Sequence, residues 1–256
     1  ALKFGVVGDP VSHSRSPAIH RAGFAAVGID ATYEVLPTPP DRFAVIVKRL
    51  RNGELAGVNV TMPHKDHAFD AADSVSASAA HTRSVNTIVS EHGVLVGYNT
   101  DVDGVRYAHR IVGEPTSRVL ILGSGGAARA AMVALEHLDI IVATRRGAAA
   151  DEVSIATGVD VAVVPWGSGI PGAILVNATP VGMHGEGLPA EVVNQASALI
   201  DMAYGESVTP AVAWARDHGM PVADGIDMLV GQAATAFTHF TGHQPPVEAM
   251  ASAARS

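Results

Sequence analysis

Arg118-Val119-Leu120-Ile121-Leu122-Gly123-Ser124-Gly125-Gly126-Ala127-Ala128-Arg129 decides the fold. An unbroken apolar run predicts a strand, glycines follow it at once, and an alanine-rich run with high helical propensity follows the glycines. Gly123, Gly125 and Ala128 fit the spacing G-x-G-x-x-A of a dinucleotide-binding turn. There the missing side chains let backbone approach a pyrophosphate, and the helix N-terminus offers unpaired N–H groups and a partial positive charge. A glycine pair of this kind also makes a plain tight turn. The apolar run Ile140-Ile141-Val142-Ala143, one βαβ unit further on, favours the binding reading.

That second strand ends in Thr144-Arg145-Arg146, where an NAD-preferring site carries an acid for the ribose hydroxyls. Two guanidiniums and a hydroxyl suit a 2'-phosphate instead, because arginine binds phosphate through paired donors, so NADP is favoured over NAD. A solvated basic strand end is the plainer alternative. Further strands are predicted over 173–177 and 198–202, and helices over 211–218 and 228–240. The segment after Pro246 reads only as an alanine-rich tail.

Toward the N-terminus the same alternation holds. Strands are predicted over 4–8, 31–36 and 57–61. One helix starts near Pro17, carries Ile19, Phe24 and Val27 on one face and is capped by Gly28; another starts at Pro39-Pro40-Asp41. The runs 85–90 and 94–97 around Glu91-His92-Gly93 predict a hairpin. A helix follows Asp101 to about Val112, and Gly113-Glu114-Pro115 predicts a boundary into the second αβ unit. Strands alternating with helices make an α/β protein with mostly parallel sheets.

Chemistry-bearing residues fall at predicted strand ends. Asn59-Val60-Thr61-Met62-Pro63-His64-Lys65 runs from a strand into a turn that delivers an ammonium, and Gly97-Tyr98-Asn99-Thr100-Asp101 delivers a carboxylate in the same way. A lysine beside an aspartate can pass a proton to and from a substrate oxygen, while the acid holds and tunes the ammonium. Asn59, Thr61, Asn86, Asn99 and Thr100 are expected to converge on one crevice with this pair, since ligands of open α/β sheets bind outside the carboxyl ends of strands. Ser12-His13-Ser14-Arg15-Ser16-Pro17 places three hydroxyls before a helix, which suits a small carboxylate; capping explains one serine. Turn closure and mutual pairing are the alternative reading of any single member.

Composition narrows the classes. Across 256 residues there is no cysteine, which excludes disulfides, thiolate nucleophiles and Cys-ligated metals. The net charge of -8 argues against a nucleic-acid partner. No apolar run is long enough to span a bilayer and no secretory pattern is readable, so the cytoplasm is the expected compartment and no membrane partner is expected. Twelve histidines form no compact ligand set, so no metal is expected; His13 and His64 are expected to shape the loops they occupy.

The motifs Ser14-Arg15-Ser16-Pro17, Asn59 to Lys65, Val85-Asn86-Thr87, Asn99-Thr100-Asp101, Gly123-Ser124-Gly125-Gly126-Ala127, Asn177-Ala178-Thr179, Asp201-Met202-Ala203-Tyr204 and Asp224 to Gln232 together resemble the shikimate dehydrogenase family, in order and spacing over nearly the whole chain. The resemblance implies reversible NADPH-linked reduction of 3-dehydroshikimate to shikimate in aromatic amino-acid biosynthesis. It implies Lys65 and Asp101 as the catalytic pair, and Ser14, Ser16, Thr61, Asn86, Tyr204 and Gln232 as substrate-binding residues. On the NADP side it implies Gly123, Ser124, Gly125, Gly126, Ala127, Thr144, Arg145, Arg146, Thr179, Met202 and Gly225. It implies an α/β fold of two domains: a mostly parallel substrate-binding domain over 1–101, completed by helices in 225–256, and a Rossmann-type NADP-binding domain over 102–224. A small-molecule partner is expected, and a monomer or homodimer. Departures from the family pattern fall at Thr144-Arg145-Arg146, Ala149, Pro180 and Gly205-Glu206-Ser207, and bear on cofactor preference and closure. Two other readings share the motifs: a quinate or aminoshikimate dehydrogenase using NAD, and a non-catalytic ligand sensor on the same fold.

Overall fold

The computed structural model describes all residues except 117, 146, 147 and 206, together with the side chains of 148–151. In chain order the elements are β1 (Leu2–Gly8), α1 (Ser16–Val27), β2 (Ala31–Pro37), α2 (Phe43–Arg51), β3 (Gly57–Val60), α3 (Lys65–Ala71), β4 (Ser74–Val75), α4 (Ala77–Thr82), β5 (Thr87–Glu91) and β6 (Val94–Tyr98). There follow α5 (Asp101–Ile111), β7 (Val119–Leu122), α6 (Gly126–Ala134), β8 (Ile140–Thr144), α7 (Ala148–Thr157), β9 (Ala162–Pro165), β10 (Ile174–Asn177), α8 (Ala190–Gln195), β11 (Ala198–Asp201), α9 (Pro210–Asp217), β12 (Val222–Ala223), α10 (Gly225–Thr241) and α11 (Val247–Arg255). Two compact units result: unit one is Ala1–Thr100 with Gln232–Ser256, and unit two is Asp101–Gly231.

Unit one holds a six-stranded sheet in the order β2-β1-β3-β5-β6-β4. β1 pairs in parallel with β2 and β3, and the β5–β6 hairpin joins antiparallel to β3. The hairpin turn is His92-Gly93, both at positive φ (53° and 85°), which matches the right-handed twist of the flanking strands. Side chains alternate across the sheet. Phe4 faces Phe24 and Phe240, with ring centroids 5.5 and 4.7 Å away. Val7, Val58, Val60 and Ile88 pack the other way, against Phe43, Ile46 and Leu50 of α2. α1 ends where Gly28 adopts φ 71°, as its position after Val27 predicts.

The segment after Pro246 is helical rather than a tail. α11 packs along α1, where Gly23 leaves room for Phe237 and Met250: a Cβ at Gly23 would lie 2.8 Å from the Phe237 ring. Alanine gives α11 its propensity, and the buried Met250 and Ala254 give it a face.

Unit two holds an all-parallel sheet in the order β12-β11-β10-β7-β8-β9. Counted from β7 this is 6-5-4-1-2-3, the doubly wound order. Val119, Ile121, Val142, Val176 and Ile200 face α5 and α6, whereas Leu120, Leu122, Ile141, Leu175 and Leu199 face α8 and α9. Both faces are covered, which is why these strands read as continuous apolar runs. α5 belongs to this unit: Val102, Val105 and Ala108 bury against α6, so the compact unit runs from Asp101 to Gly231, against the 102–224 that the resemblance implies, and the Gly113-Glu114-Pro115 break does not open it. That break only ends α5, with Gly113 and Glu114 both at positive φ. Among the described residues no helix is long and apolar enough to cross a membrane.

Candidate functional site

In unit one, three loops leave the carboxyl ends of parallel strands and bond to one another. After β1, the Asp9 N–H donates to the Met62 carbonyl at 2.9 Å. After β2, the Thr38 N–H donates to Gly8 O at 2.9 Å. After β3, His64 Nε2 donates to Thr38 O at 2.6 Å while its ring stacks on Phe43 at 4.8 Å. A carbonyl only accepts, so Nε2 carries the proton. His64 is fully buried, and it fixes the point at which Lys65 opens α3. His13 is exposed. Thr61, half-buried, lies against Gly8, which can only be glycine because a side chain there would run into the threonine methyl.

Ser14 and Ser16 lie at the start of α1, where Ser14 Oγ accepts from the Ser16 N–H at 3.3 Å. Arg15 between them turns its guanidinium to the Ala254 carbonyl at the end of α11, at 2.8 Å. Asn86 and Gln232 come together through Thr100: Asn86 Nδ2 donates to Thr100 Oγ1 at 3.0 Å, and Thr100 Oγ1 to Gln232 Oε1 at 3.2 Å. Asn59 joins the same group through Thr87. Asn99 departs from the expected cluster: its Nδ2 donates to Thr82 Oγ1 and Ser84 O, at 2.8 and 3.0 Å, and so ties α4 to the end of β6.

In unit two the turns after β7, β10 and β11 meet. Gly123 adopts φ 118°, and a Cβ there would sit 2.8 Å from Ala178 O and 3.2 Å from the Thr179 methyl. Thr179 is held by Asn177, to whose Oδ1 it donates from both Oγ1 (2.6 Å) and N–H (3.2 Å). Met202 N–H donates to Asn177 O at 3.0 Å. Gly225 closes on Ala203 and Tyr204, whose backbone and Cβ occupy the place of a side chain. Thus Gly123, Thr179, Met202, Tyr204 and Gly225 gather at the carboxyl edge of the sheet, with Ser124, Gly125, Gly126 and Ala127 completing the turn into α6.

Gly125 differs from Gly123. A Cβ added at Gly125 meets no atom within 4 Å, so the protein's own packing does not require glycine at this N-cap. Open space above a helix N-terminus fits a group that brings its own atoms there, as a pyrophosphate does. Thr144 ends β8, buried, and Arg145 follows it exposed; Arg146 lies outside the described residues. Asp101 is buried at the first position of α5, where the helix dipole favours a carboxylate.

Two further residues carry this architecture. Asp201, fully buried, accepts from Asn177, Ala203 and Thr209, and burial pushes its pKa up against those hydrogen bonds. Tyr33 is the one fully buried side chain of β2. An aromatic placed between Thr32 and Glu34 was the available sequence signal for Tyr33; for Asp201 it was the quoted motif itself. No group of three or more potential metal ligands occurs among the described residues.

Fold and turn geometry together define a two-unit α/β protein of the doubly wound dinucleotide-fold class. Residues 6–88 match the shikimate dehydrogenase substrate binding domain, and residues 225–255 match the shikimate 5'-dehydrogenase C-terminal domain. A shikimate dehydrogenase (NADP(+)) from Symbiobacterium thermophilum is 38% identical over 98% of this chain and 92% of its own. The crystal structure of shikimate 5-dehydrogenase from Thermus thermophilus, in complex with NADP(H) and shikimate, superposes with a TM-score of 0.91 at 35% identity, covering 100% of this chain and 99% of that one. A 5-ketofructose reductase from Gluconobacter sp. strain CHM43 shares the fold at a TM-score of 0.87 and 26% identity, covering 100% and 98%. The chain belongs to the shikimate dehydrogenase family.

Proposed function

We propose that this protein catalyses the reversible NADPH-dependent reduction of 3-dehydroshikimate to shikimate, a step of aromatic amino-acid biosynthesis. Full-length likeness to a structure holding both NADP(H) and shikimate carries this reading, together with the motif residues retained at the ends of the strands. Ser14 and Ser16 take the carboxylate, and Thr61, Asn86, Gln232 and Tyr204 take the ring and its hydroxyls. Gly123 to Ala127 cradle the pyrophosphate, Thr144, Arg145 and Arg146 hold the 2'-phosphate, and Thr179, Met202 and Gly225 line the nicotinamide end.

The reduction adds a hydride to the carbonyl carbon and a proton to its oxygen. When bound, the reduced nicotinamide supplies the hydride. Lys65 holds the proton at Nζ and delivers it to the oxygen as that oxygen becomes a hydroxyl; in the reverse direction it takes the proton back. Asp101 contributes the carboxylate of the pair and accepts from a ring hydroxyl. The protein acts in the cytoplasm on small molecules, as a monomer or homodimer.

Steady-state rates with shikimate, quinate and aminoshikimate, each with NADP and with NAD, test the assignment. Shikimate with NADP is expected to give the highest kcat/KM, and a higher value for another pair overturns it. Lys65→Ala is expected to lower turnover about 10²-fold or more, the usual worth of a general acid.

A further inference from the structure

Five hydrogen bonds run through six buried side chains of unit one, and the line is braced where Thr100 Oγ1 also lies 3.2 Å from Asn86 Oδ1 and 3.4 Å from Thr87 Oγ1. Tyr33 Oη donates to Asn59 Oδ1 at 2.6 Å, Asn59 Nδ2 to Thr87 Oγ1 at 3.0 Å, and Thr87 Oγ1 to Asn86 Oδ1 at 3.1 Å. Asn86 Nδ2 then donates to Thr100 Oγ1 at 3.0 Å, and Thr100 Oγ1 to Gln232 Oε1 at 3.2 Å. A hydroxyl has one hydrogen and an amide oxygen has none, so the sense of any one link dictates the sense of the next.

Run backwards, with all three amides flipped, the side-chain line would still close. The backbone forbids that. Thr100 N–H points at Asn86 Oδ1 from 2.8 Å, and flipping Asn86 would set two N–H donors against each other in a site where none of the six side chains is more than 6% exposed. Asn86 Oδ1 thus accepts from the Thr100 N–H and the Thr87 hydroxyl, which fills both its lone pairs; the Thr100 hydroxyl, although 3.2 Å from that oxygen too, gives its hydrogen to Gln232 Oε1, and Gln232 turns its NH2 end away from Thr100. At the far end Tyr33 is itself held: both Nε and Nη2 of Arg21 donate to its carbonyl, at 2.9 and 2.6 Å, and its ring lies flat on His20 at 4.5 Å and 5°.

We infer that Tyr33, Asn59 and Thr87 are positioning residues, which fix the amides of Asn86 and Gln232 so that both present N–H donors to the oxygens of the substrate ring. This rests on the substrate role proposed above for Asn86 and Gln232. Tyr33 and Thr87 act only through these neighbours. The line also favours ligands with acceptor oxygens at that place over analogues that carry a donor alone, because a reversed amide has no partner arrangement in the interior.

The test compares wild type with Thr87→Val, which keeps shape and removes the link, with Thr87→Ser, which keeps the link, and with Tyr33→Phe. Thr87→Val is expected to raise KM for shikimate about tenfold while leaving KM for NADP unchanged, the signature of lost substrate binding. Thr87→Ser is expected to bring KM for shikimate back to about twofold of wild type, and Tyr33→Phe to shift it in the same direction as the valine but less. The second readout is ligand-free: hydrogen exchange of the Asn86 and Gln232 side-chain amides by NMR, expected to quicken in Thr87→Val and Tyr33→Phe but not in Thr87→Ser. A folded Thr87→Val with unchanged KM for shikimate and unchanged amide exchange overturns the inference, as does an equal rise in both KM values. If wild type does not turn over shikimate at all, the functional reading fails, and the amide exchange still decides the positioning role. Should Thr87→Val not fold, Tyr33→Phe decides by the same two measurements.

Discussion

Asn177 Nδ2 donates to Asp201 Oδ1 at 2.9 Å, across a register pair that joins the last residues of β10 and β11. Both residues are fully buried, and the same carboxylate receives the Ala203 N–H and the Thr209 hydroxyl. One acidic side chain thus sets two turns at the carboxyl edge of the sheet, the Thr179 turn and the Met202–Tyr204 turn.

That carboxylate stands out for pH dependence. Burial raises its pKa above the usual 3.8, so the folded state holds this proton more tightly than the unfolded chain does. Its contribution is fully present below about pH 4 and is lost as pH rises through the raised pKa. Asp201→Asn keeps an acceptor for Asn177 and Ala203 and does not titrate. The Tm difference, variant minus wild type, is expected to grow from pH 4 to pH 7; a difference that stays constant over that range contradicts the assignment.

His20 predicts the opposite slope. It is fully buried, and burial pushes its imidazole down to about 3; Asn59 lies near enough to oppose the shift but not in hydrogen-bond geometry. The group is neutral when folded, so its contribution is complete above the unfolded value of 6.5 and is lost as pH falls toward 3. By pH 5 the loss is about 2 kcal/mol. His20→Phe, which can lie on Tyr33 in the same way, is expected to flatten the fall of Tm between pH 6.5 and pH 5. Equal slopes in the two proteins would count against it.

The two glycines of the turn separate fold from binding. Gly123→Ala places a side chain at φ 118° against Ala178 O, and is expected to cost about 2 kcal/mol of stability. Gly125→Ala enters open space, and is expected to leave Tm nearly unchanged while raising KM for NADP about tenfold or more. Thermal melts beside dinucleotide titrations check both, and a Gly125→Ala protein that binds NADP normally would remove the turn from the cofactor site.

Arg145 tests the choice of dinucleotide. It is exposed one residue past β8, so its loss should not disturb the core. Arg145→Ala is expected to raise KM for NADP about tenfold and leave KM for NAD unchanged, since a phosphate contact serves only the phosphorylated ribose. Parallel rises for both dinucleotides would point to a general rather than a phosphate-directed role.

Local patterns were legible where local physics decides. Val119 to Leu122 followed by glycines could only be a buried strand running into a turn, and Gly28 had to end its helix. Long-range contacts were not. Nothing near Asn99 reveals that Thr82 and Ser84 claim its amide rather than a ligand, because those partners lie 15 to 17 residues away and meet it only once the sheet forms. Likewise nothing near Arg15 reveals that its guanidinium goes to a carbonyl 239 residues distant. The run after Pro246 does carry an apolar face, with Met250 and Ala254 buried on it, but alanine fills both faces and hides the stripe, and what holds α11 is the groove left by Gly23. For α5 the local signal and the family resemblance disagreed: Gly113 breaks the chain after the helix, while the resemblance started the second domain at 102, and packing on α6 puts the helix in unit two.

Because unit one is assembled from two separated stretches, 1–100 and 232–256, and unit two from the uninterrupted stretch between them, the order of maturation during synthesis runs against the order of the sequence. The stretch 101–231 can fold to completion while the first hundred residues still wait for Gln232, Phe237, Phe240 and α11. Until those emerge, the faces of Phe4 and Phe24 stay uncovered, and the nascent chain carries an exposed greasy surface of the kind that chaperones bind.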